Sequence, residues 1–212
     1  MSRIAVIDYG MGNLRSVSKA IEHVAPGHEV VVTSDPALVA AVDRVVFPGQ
    51  GAMPDCMREL DARGLRAAVL DAACSKPFLG ICIGLQMLFD WSDEGDVPGL
   101  GVFAGRVRRF PQERMLGAGG ERLKVPHMGW NEVRQLMPHA LWRGIGDDTR
   151  FYFVHSYFVD PAERQFVAGE CLYGVPFTAA VARDNIFAVQ FHPEKSADSG
   201  LKLLANFVDW NP

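Results

Sequence analysis

No run of about 18 consecutive apolar residues occurs in the chain, so no apolar membrane-spanning helix is expected. Cysteine is sparse. Cys56, Cys74, Cys82 and Cys171 are scattered without C-x-x-C spacing, which argues against a zinc site and against a disulfide framework. Neither metal nor cofactor is called for. A formal net charge of −4 gives no excess of one sign, hence no reason to expect nucleic acid or an anionic membrane as a partner. There is no internal repeat, no low-complexity segment and no linker that would split the chain. The start, Met1-Ser2-Arg3-Ile4-Ala5-Val6-Ile7-Asp8, lacks a signal-peptide pattern and runs straight into an apolar stretch. These absences together point to the cytoplasm, where a free thiol survives.

What is present suits one α/β domain over residues 1–212, with 49% hydrophobic residues to fill a core. The first half alternates short apolar runs with helical patterns. Arg3 to Asp8, Glu29 to Thr33, Arg44 to Phe47 and the run at Phe78 read as strands. Asn13 can cap a helix with Leu14, Val17, Ala20, Ile21 and Val24 on one face. A second helical stretch runs through Leu60 and Leu70 to about Ala73. Buried strands separated by helices predict a mostly parallel central sheet with helices on both faces. Ligands of such sheets sit beyond the carboxyl ends of the strands, where Asp8, Pro48-Gly49-Gln50-Gly51 and Cys82 fall. The second half predicts an antiparallel β extension. Its strands are Val102 to Phe110, Phe151 to Val159, Phe166 to Cys171, Phe177 to Ala182 and Ile186 to Phe191. A hairpin is expected at Arg183-Asp184-Asn185, a flexible loop at 117–120, and a closing helix from Leu201 to Trp210.

The chemistry centres on Gly80-Ile81-Cys82-Ile83-Gly84-Leu85-Gln86, which reads as a cysteine on a sharp strand-to-helix turn. Glycines two residues to either side leave room for a strained backbone and push the sulfur toward solvent. The free N–H groups of a following helix favour the thiolate. A small buried core cysteine is the alternative. A thiolate nucleophile needs a base, and the base an orienting partner. Phe191-His192-Pro193-Glu194 supplies both, since Pro193 forces an extended His192 and residues two apart then share a side. A surface histidine with a capping glutamate is the plainer alternative for that segment. The other histidines (His23, His28, His127, His139 and His155) have no carboxylate in such a fixed relation, and most read as surface residues or as residues flanking the site. For an oxyanion hole, the backbone N–H of Ile83 is one donor and the loop with Gln50 and Gly51 offers the second; that loop also reads as a simple strand-ending turn. Gln86 is placed to hydrogen-bond a polar substrate, and Asp90, Asp93 and Glu94 to meet an ammonium group or merely solvent.

The elbow, Phe47-Pro48-Gly49-Gln50-Gly51 and Gln190-Phe191-His192-Pro193-Glu194 together resemble the triad glutamine amidotransferases. Asp8-Tyr9-Gly10-Met11-Gly12-Asn13-Leu14, Pro126-His127-Met128-Gly129-Trp130-Asn131, Phe153-Val154-His155-Ser156-Tyr157 and His192-Pro193-Glu194-Lys195-Ser196 are similar to the branch that serves histidine biosynthesis, the glutaminase subunits of imidazole glycerol phosphate synthases. The resemblance runs from Arg3 to the last helix and implies a flavodoxin-like, class I glutamine amidotransferase fold. It implies that Cys82 attacks the side-chain amide of L-glutamine, that His192 moves protons, and that Glu194 orients it. It implies that Gly49, Gln86, Glu94, Ser156 and Tyr157 hold the substrate. Asn13, Trp130 and Lys195 would face a cyclase subunit, a (β/α)₈ barrel that forms a heterodimer with this chain. There, ammonia and a phosphoribulosyl-formimino aminoimidazole carboxamide nucleotide give imidazole glycerol phosphate and aminoimidazole carboxamide ribotide. Gln50 departs from the valine frequent in that loop, which bears on how easily the loop switches orientation. Free ammonia is mostly protonated at neutral pH, and the α/β frame leaves no room for a synthase domain, so the consumer is expected to be a separate subunit. Alternative readings are a glutaminase feeding another synthase, a cysteine-dependent peptidase or deglycase on the same frame, and a non-catalytic binding domain.

Overall fold

The computed structural model describes residues 2–117 and 119–212. Its first half runs β1 (Arg3–Ile7), α1 (Leu14–Val24), β2 (Glu29–Thr33), α2 (Pro36–Ala41), β3 (Arg44–Gly49), α3 (Met53–Ala62), α4 (Arg66–Ser75), β4 (Phe78–Cys82) and α5 (Ile83–Met87). The second half runs β5 (Phe89–Ser92), β6 (Val97–Pro98), β7 (Phe103–Arg109), β8 (His127–Gln135), β9 (Thr149–His155), β10 (Tyr157–Pro161), β11 (Val167–Tyr173), β12 (Val175–Arg183), β13 (Ile186–Val189) and α6 (Ala197–Asp209).

One sheet carries the strands in the order β2-β1-β3-β4-β13-β12-β10-β7-β5-β6, with β11, β8 and β9 branching from β12. The first five are mutually parallel. Every residue of β3, β4 and β13 is buried, as expected of parallel strands covered on both faces. The chain steps one way from β1 to β2 and the other way from β2 through β3 to β4. Right-handed crossovers therefore put α1 on one face and α2, α3 and α4 on the other. α6 packs on α1, closing the first face. The fold is thus α/β, with a largely parallel sheet, helices on both faces and antiparallel strands in the second half. Ile4, Val46, Phe47, Phe78, Phe187 and Phe207 belong to one continuous apolar cluster.

Local chemistry explains the elements. Asn13 caps α1, its Oδ1 accepting from the N–H of Ser16 at 3.4 Å, and Val17 and Ile21 form the buried face. Asp184, at φ 50°, turns the β12–β13 hairpin. Beside it, Asn185 donates to the carbonyls of Ala73 and Lys76 at 2.8 and 2.6 Å, tying the turn to the end of α4. Arg44 is buried and donates to the carbonyls of Phe207 and Trp210, so a cation sits at the carboxyl end of α6.

Several expectations need correction. The helical stretch through Leu60 and Leu70 is two helices, because Gly64 at φ 65° breaks it. The run from Phe151 to Val159 divides at Ser156, where the chain leaves β8 as a partner and joins β7 and β12. The strand read as ending at Phe191 stops at Val189, and the closing helix begins at Ala197. The short helix α2 and the strands β5, β6 and β8 stand where the sequence pattern carries no clear signal, and one pair within the extension, β5–β7, is parallel. Residue 118 of the expected loop at 117–120 lies outside the described residues; on either side of it, Leu116 bridges Arg122. No helix among the described residues is long and apolar enough to cross a membrane.

β8 and β9 place His127 opposite His155, both buried. Neither is a surface residue. His127 stacks on Tyr173 with centroids 4.0 Å apart. Burial pushes the His127 imidazole down to about 4. Burial, together with the nearby His127 and His192, takes His155 to about 3, against the hydrogen bond from its ring to Tyr157. Each folded value lies below the ordinary one, so the stabilisation is complete above about pH 6.5 and is lost as pH falls through about 4 and 3. The urea midpoint is expected to fall steeply as pH drops below 6, each of the two histidines removing on the order of 3 kcal/mol of stability by pH 4. His155→Gln should flatten that slope; equal slopes in the two proteins refute the assignment.

Candidate active site

Three strand ends converge. In the register of β3 and β4, Gly49 lies beside Cys82. On the other flank, β4 pairs with β13, whose continuation carries Gln190 and His192. Cys82 has φ 56° and ψ −111° and stands at the N-terminus of α5. That left-handed backbone is costly for any residue with a Cβ. The glycines around it allow a very close approach. A Cβ on Gly84 would collide with the carbonyl of Phe47, and one on Gly80 would stand 2.9 Å from Ala188 Cβ. The elbow therefore exists as the sequence predicts. α5 is barely more than one turn long, so its influence on the sulfur is that of its free N–H groups rather than of a long dipole.

His192 and Glu194 meet at 2.8 Å, Nδ1 to Oε1, with both side chains buried. His192 is extended, as Pro193 demands, at φ −102°. Glu194, however, lies in a 3₁₀ turn over Pro193–Lys195, so the two meet by a turn and not by strand alternation. Nε2 of His192 is buried and makes no hydrogen bond within the chain. Burial works against the imidazolium, yet the neighbouring Cys82 sulfur and the hydrogen bond and charge of the Glu194 carboxylate outweigh this and raise the imidazole to about 10.

The position of His192 depends on Ser196, the last residue of the His192–Ser196 motif, whose role lies in tertiary bonds. Ser196 Oγ donates to the His192 carbonyl at 2.6 Å and accepts from the N–H of Tyr152 at 3.0 Å. The N–H of His192 donates to the carbonyl of Tyr152 at 2.9 Å. These three bonds clamp the turn to β9. A serine four residues after a histidine carries no signal of this role; only the tertiary pairing reveals it.

Cys82, His192, Gln50, Gly51, Ile83, Gln86, Glu94, Ser156 and Tyr157 all line one cavity of about 270 Å³, together with His155. Cys82 is buried in the sense of low exposure, but its neighbours open into that cavity. Gly49 lies behind the cavity wall, against Tyr9 and Ile83. The Gln50 carbonyl accepts from the thiol of Cys56 at 3.6 Å, and burial pushes that thiol up to about 11, so it keeps its proton. A trans peptide directs its N–H opposite its carbonyl, so the amide N–H of Gly51 faces away from Cys56. Glu94 accepts from the N–H of Met53 at 2.9 Å, which makes it a cap for α3 as well as a cavity residue. Gln86 Nε2 donates to the carbonyl of Tyr157, while its Oε1 is buried and unpaired.

Asn13, Trp130 and Lys195 lie outside this cavity. Asn13 follows β1 and caps α1, against which the 193–195 turn packs. Lys195 ends that turn. Trp130 is 44% exposed on β8 and packs edge-on against Tyr152, whose carbonyl holds His192. A larger groove of about 460 Å³ lies elsewhere, lined by Asn131, Arg134, Glu170 and Cys171 among others. Burial, reinforced by the carboxylates of Glu132 and Glu170, raises the Cys171 thiol, so it keeps its proton. Among the described residues no cluster of His, Cys, Asp and Glu is arranged to hold a metal ion.

Residues 5–210 match the family described as glutamine amidotransferase class-I. The imidazole glycerol phosphate synthase subunit HisH of Dechloromonas aromatica is 77% identical over 209 residues, covering 99% of this chain and 97% of the relative. The HisH subunit of Aromatoleum aromaticum is 72% identical over 212 residues, covering all of both chains. Among solved structures, PurLQS from Thermotoga maritima superposes with a TM-score of 0.70 at 18% identity, covering 99% of each chain, which bears on the fold alone. The chain belongs to the class I glutamine amidotransferases and, within them, to the family of imidazole glycerol phosphate synthase HisH subunits.

Proposed function

We propose that this chain hydrolyses L-glutamine through a Cys82–His192–Glu194 triad and hands the ammonia to a cyclase subunit that makes imidazole glycerol phosphate and aminoimidazole carboxamide ribotide. The observation that carries the reading is the elbow cysteine, at φ 56°, opening into the same cavity as a histidine bonded at 2.8 Å to a buried carboxylate. At about 270 Å³ the cavity falls just below the range of about 300–1,000 Å³ usual for small-molecule sites, which favours a free amino acid over a peptide chain.

In the reaction, the Cys82 thiolate attacks the carboxamide carbon of glutamine. The oxyanion is met by the backbone N–H of Ile83 and by one from the Gln50–Gly51 segment. His192, as imidazolium, gives its proton to the departing ammonia and leaves a glutamyl thioester. It then takes a proton from the water that hydrolyses the thioester, and Glu194 holds the ring throughout. Gln86 Oε1, the buried unpaired acceptor, takes an N–H of the substrate, and Glu94 pairs with its ammonium group. Gly49 lets the loop lie against Ile83, and Ser156 and Tyr157 close the far wall.

Asn13, Trp130 and Lys195 form the face offered to a (β/α)₈ cyclase in a heterodimer. Their support is the placement of all three around the carboxyl ends of β1 and β13 and the strand holding His192. One sheet and one apolar cluster support reading residues 1–212 as a single domain. The cytoplasm remains the compartment that fits a biosynthetic enzyme with a reactive free thiol.

Glu194→Gln should leave the fold intact and lower kcat in the complex by roughly 10³–10⁴-fold, because the ring loses the partner that fixes its tautomer. A variant within threefold of the parent removes Glu194 from the reaction. The alkaline limb of turnover is expected near pH 10, where the His192 imidazolium loses its proton. Labelling of Cys82 by a glutamine-like electrophile should strengthen when the cyclase and its nucleotide are both added. Full-rate glutamine hydrolysis by the isolated chain contradicts delivery to a partner.

A further inference from the structure

A continuous line of hydrogen bonds leads from β8 to the sulfur of Cys82, and every proton along it has only one arrangement. His155 Nδ1 faces the carbonyl of Tyr157 at 2.8 Å, so Nδ1 carries the proton. Burial keeps His155 and His127 neutral. The Nε2 of His155 is therefore an acceptor, and His127 Nδ1 donates to it at 3.0 Å. The Nε2 of His127 then accepts, from Asn131 Nδ2 at 3.3 Å, while the same amide group also donates to the carbonyl of Leu172.

The Tyr157 carbonyl is the junction. Besides His155 it accepts from Gln86 Nε2 at 3.0 Å. The same Nε2 donates to Gln190 Oε1, also at 3.0 Å. Both amide protons of Gln86 are thereby used, and Gln190 is bound through its oxygen. The amide nitrogen of Gln190 consequently faces Cys82, with Nε2 3.7 Å from Sγ. Gln190 is fully buried, so water does not compete for these bonds. If the amide turned over, its oxygen would face the sulfur and repel negative charge, while its nitrogen would meet the donor of Gln86.

From this geometry we infer that Gln190 is a positioning residue for the Cys82 thiolate, supplying an N–H to the sulfur, and that Gln86, Tyr157, His155 and His127 fix the direction in which it points. The inference rests on the reading of Cys82 as nucleophile. A hydrogen bond to the charged form of a thiol favours that form, so an N–H from Gln190 favours the thiolate of Cys82 over the thiol. Gln190 itself exchanges no proton with the reactants.

The test uses the full chain and reads the thiol directly. Alkylation of Cys82 by iodoacetamide is followed by peptide mass spectrometry from about pH 5 to pH 10, with the exposed Cys74 as the internal reference. Gln190→Met keeps the volume and removes the donor. It is expected to raise the Cys82 inflection by about one unit, or to slow alkylation about tenfold at neutral pH, and to leave Cys74 unmoved. Gln190→Glu should raise the inflection further, since a carboxylate then faces the sulfur. The other titratable groups nearby, His192, Tyr9, Cys56, Glu94 and His155, are unchanged in both variants. A Gln190→Met profile superimposable on that of the parent overturns the inference and leaves the triad reading standing. If that variant does not fold, Gln86→Met frees the Gln190 amide to turn, and an unmoved inflection there overturns it equally. A parent protein whose Cys82 titrates together with Cys74 removes the nucleophile reading itself.

Discussion

The left-handed backbone at Cys82 is the constraint around which the rest of the structure is arranged. A non-glycine residue held there costs on the order of 1–3 kcal/mol, and such a conformation persists only where its surroundings over-determine it. The surroundings do so here. β3 and β13 pair with β4 on its two sides and fix its direction. Gly84 lets α5 settle directly on the carbonyl of Phe47, and Gly80 admits Ala188 from β13. Each contact lacks the space that a side chain would need. The apolar parallel half of the sheet is thus a mould for a single unfavourable residue, and it leaves that residue's sulfur where three strand ends meet.

The second half of the chain serves the first by holding the base. His192 follows β13 in sequence but hangs from β9 through the Tyr152 and Ser196 bonds. The nucleophile and the base therefore belong to different parts of the sheet, and the cavity between them is floored by the junction of the two. The polar pair His127–His155 lies in this junction, neutral and fully bonded, in a place that apolar side chains ordinarily fill. A buried polar network with every member satisfied specifies one arrangement of its neighbours.

Much of this was legible in the chain. The parallel strands announced themselves as short apolar runs ending in glycine-rich turns, and the elbow as glycines two residues either side of Cys82. His192 was legible because Pro193 restricts it. What escaped was of two kinds. Short or polar elements, such as α2 with six residues and β8 with its Gly129, Trp130 and Asn131, carry too little periodicity to be distinguished from loop. Partners distant in sequence were invisible for another reason. Ser196, Gln190 and the second role of Glu94 at the N–H of Met53 depend on pairings that no local pattern encodes. Even the contact of His192 with Glu194 arises from a 3₁₀ turn and not from strand alternation.

The order of the strands has a consequence for biogenesis. β13, the last strand made, is inserted between β4 and β12 at the middle of the sheet. Until it emerges from the ribosome, both of those strands present unpaired edges, the kind of surface that invites association between incomplete chains. Closure of the sheet depends on contacts between residues more than 100 positions apart, such as Ala188 with Gly80, a separation that slows folding. The same insertion delivers His192, so an incomplete chain carries the cysteine without its base, and chemical competence arrives only with the final seam.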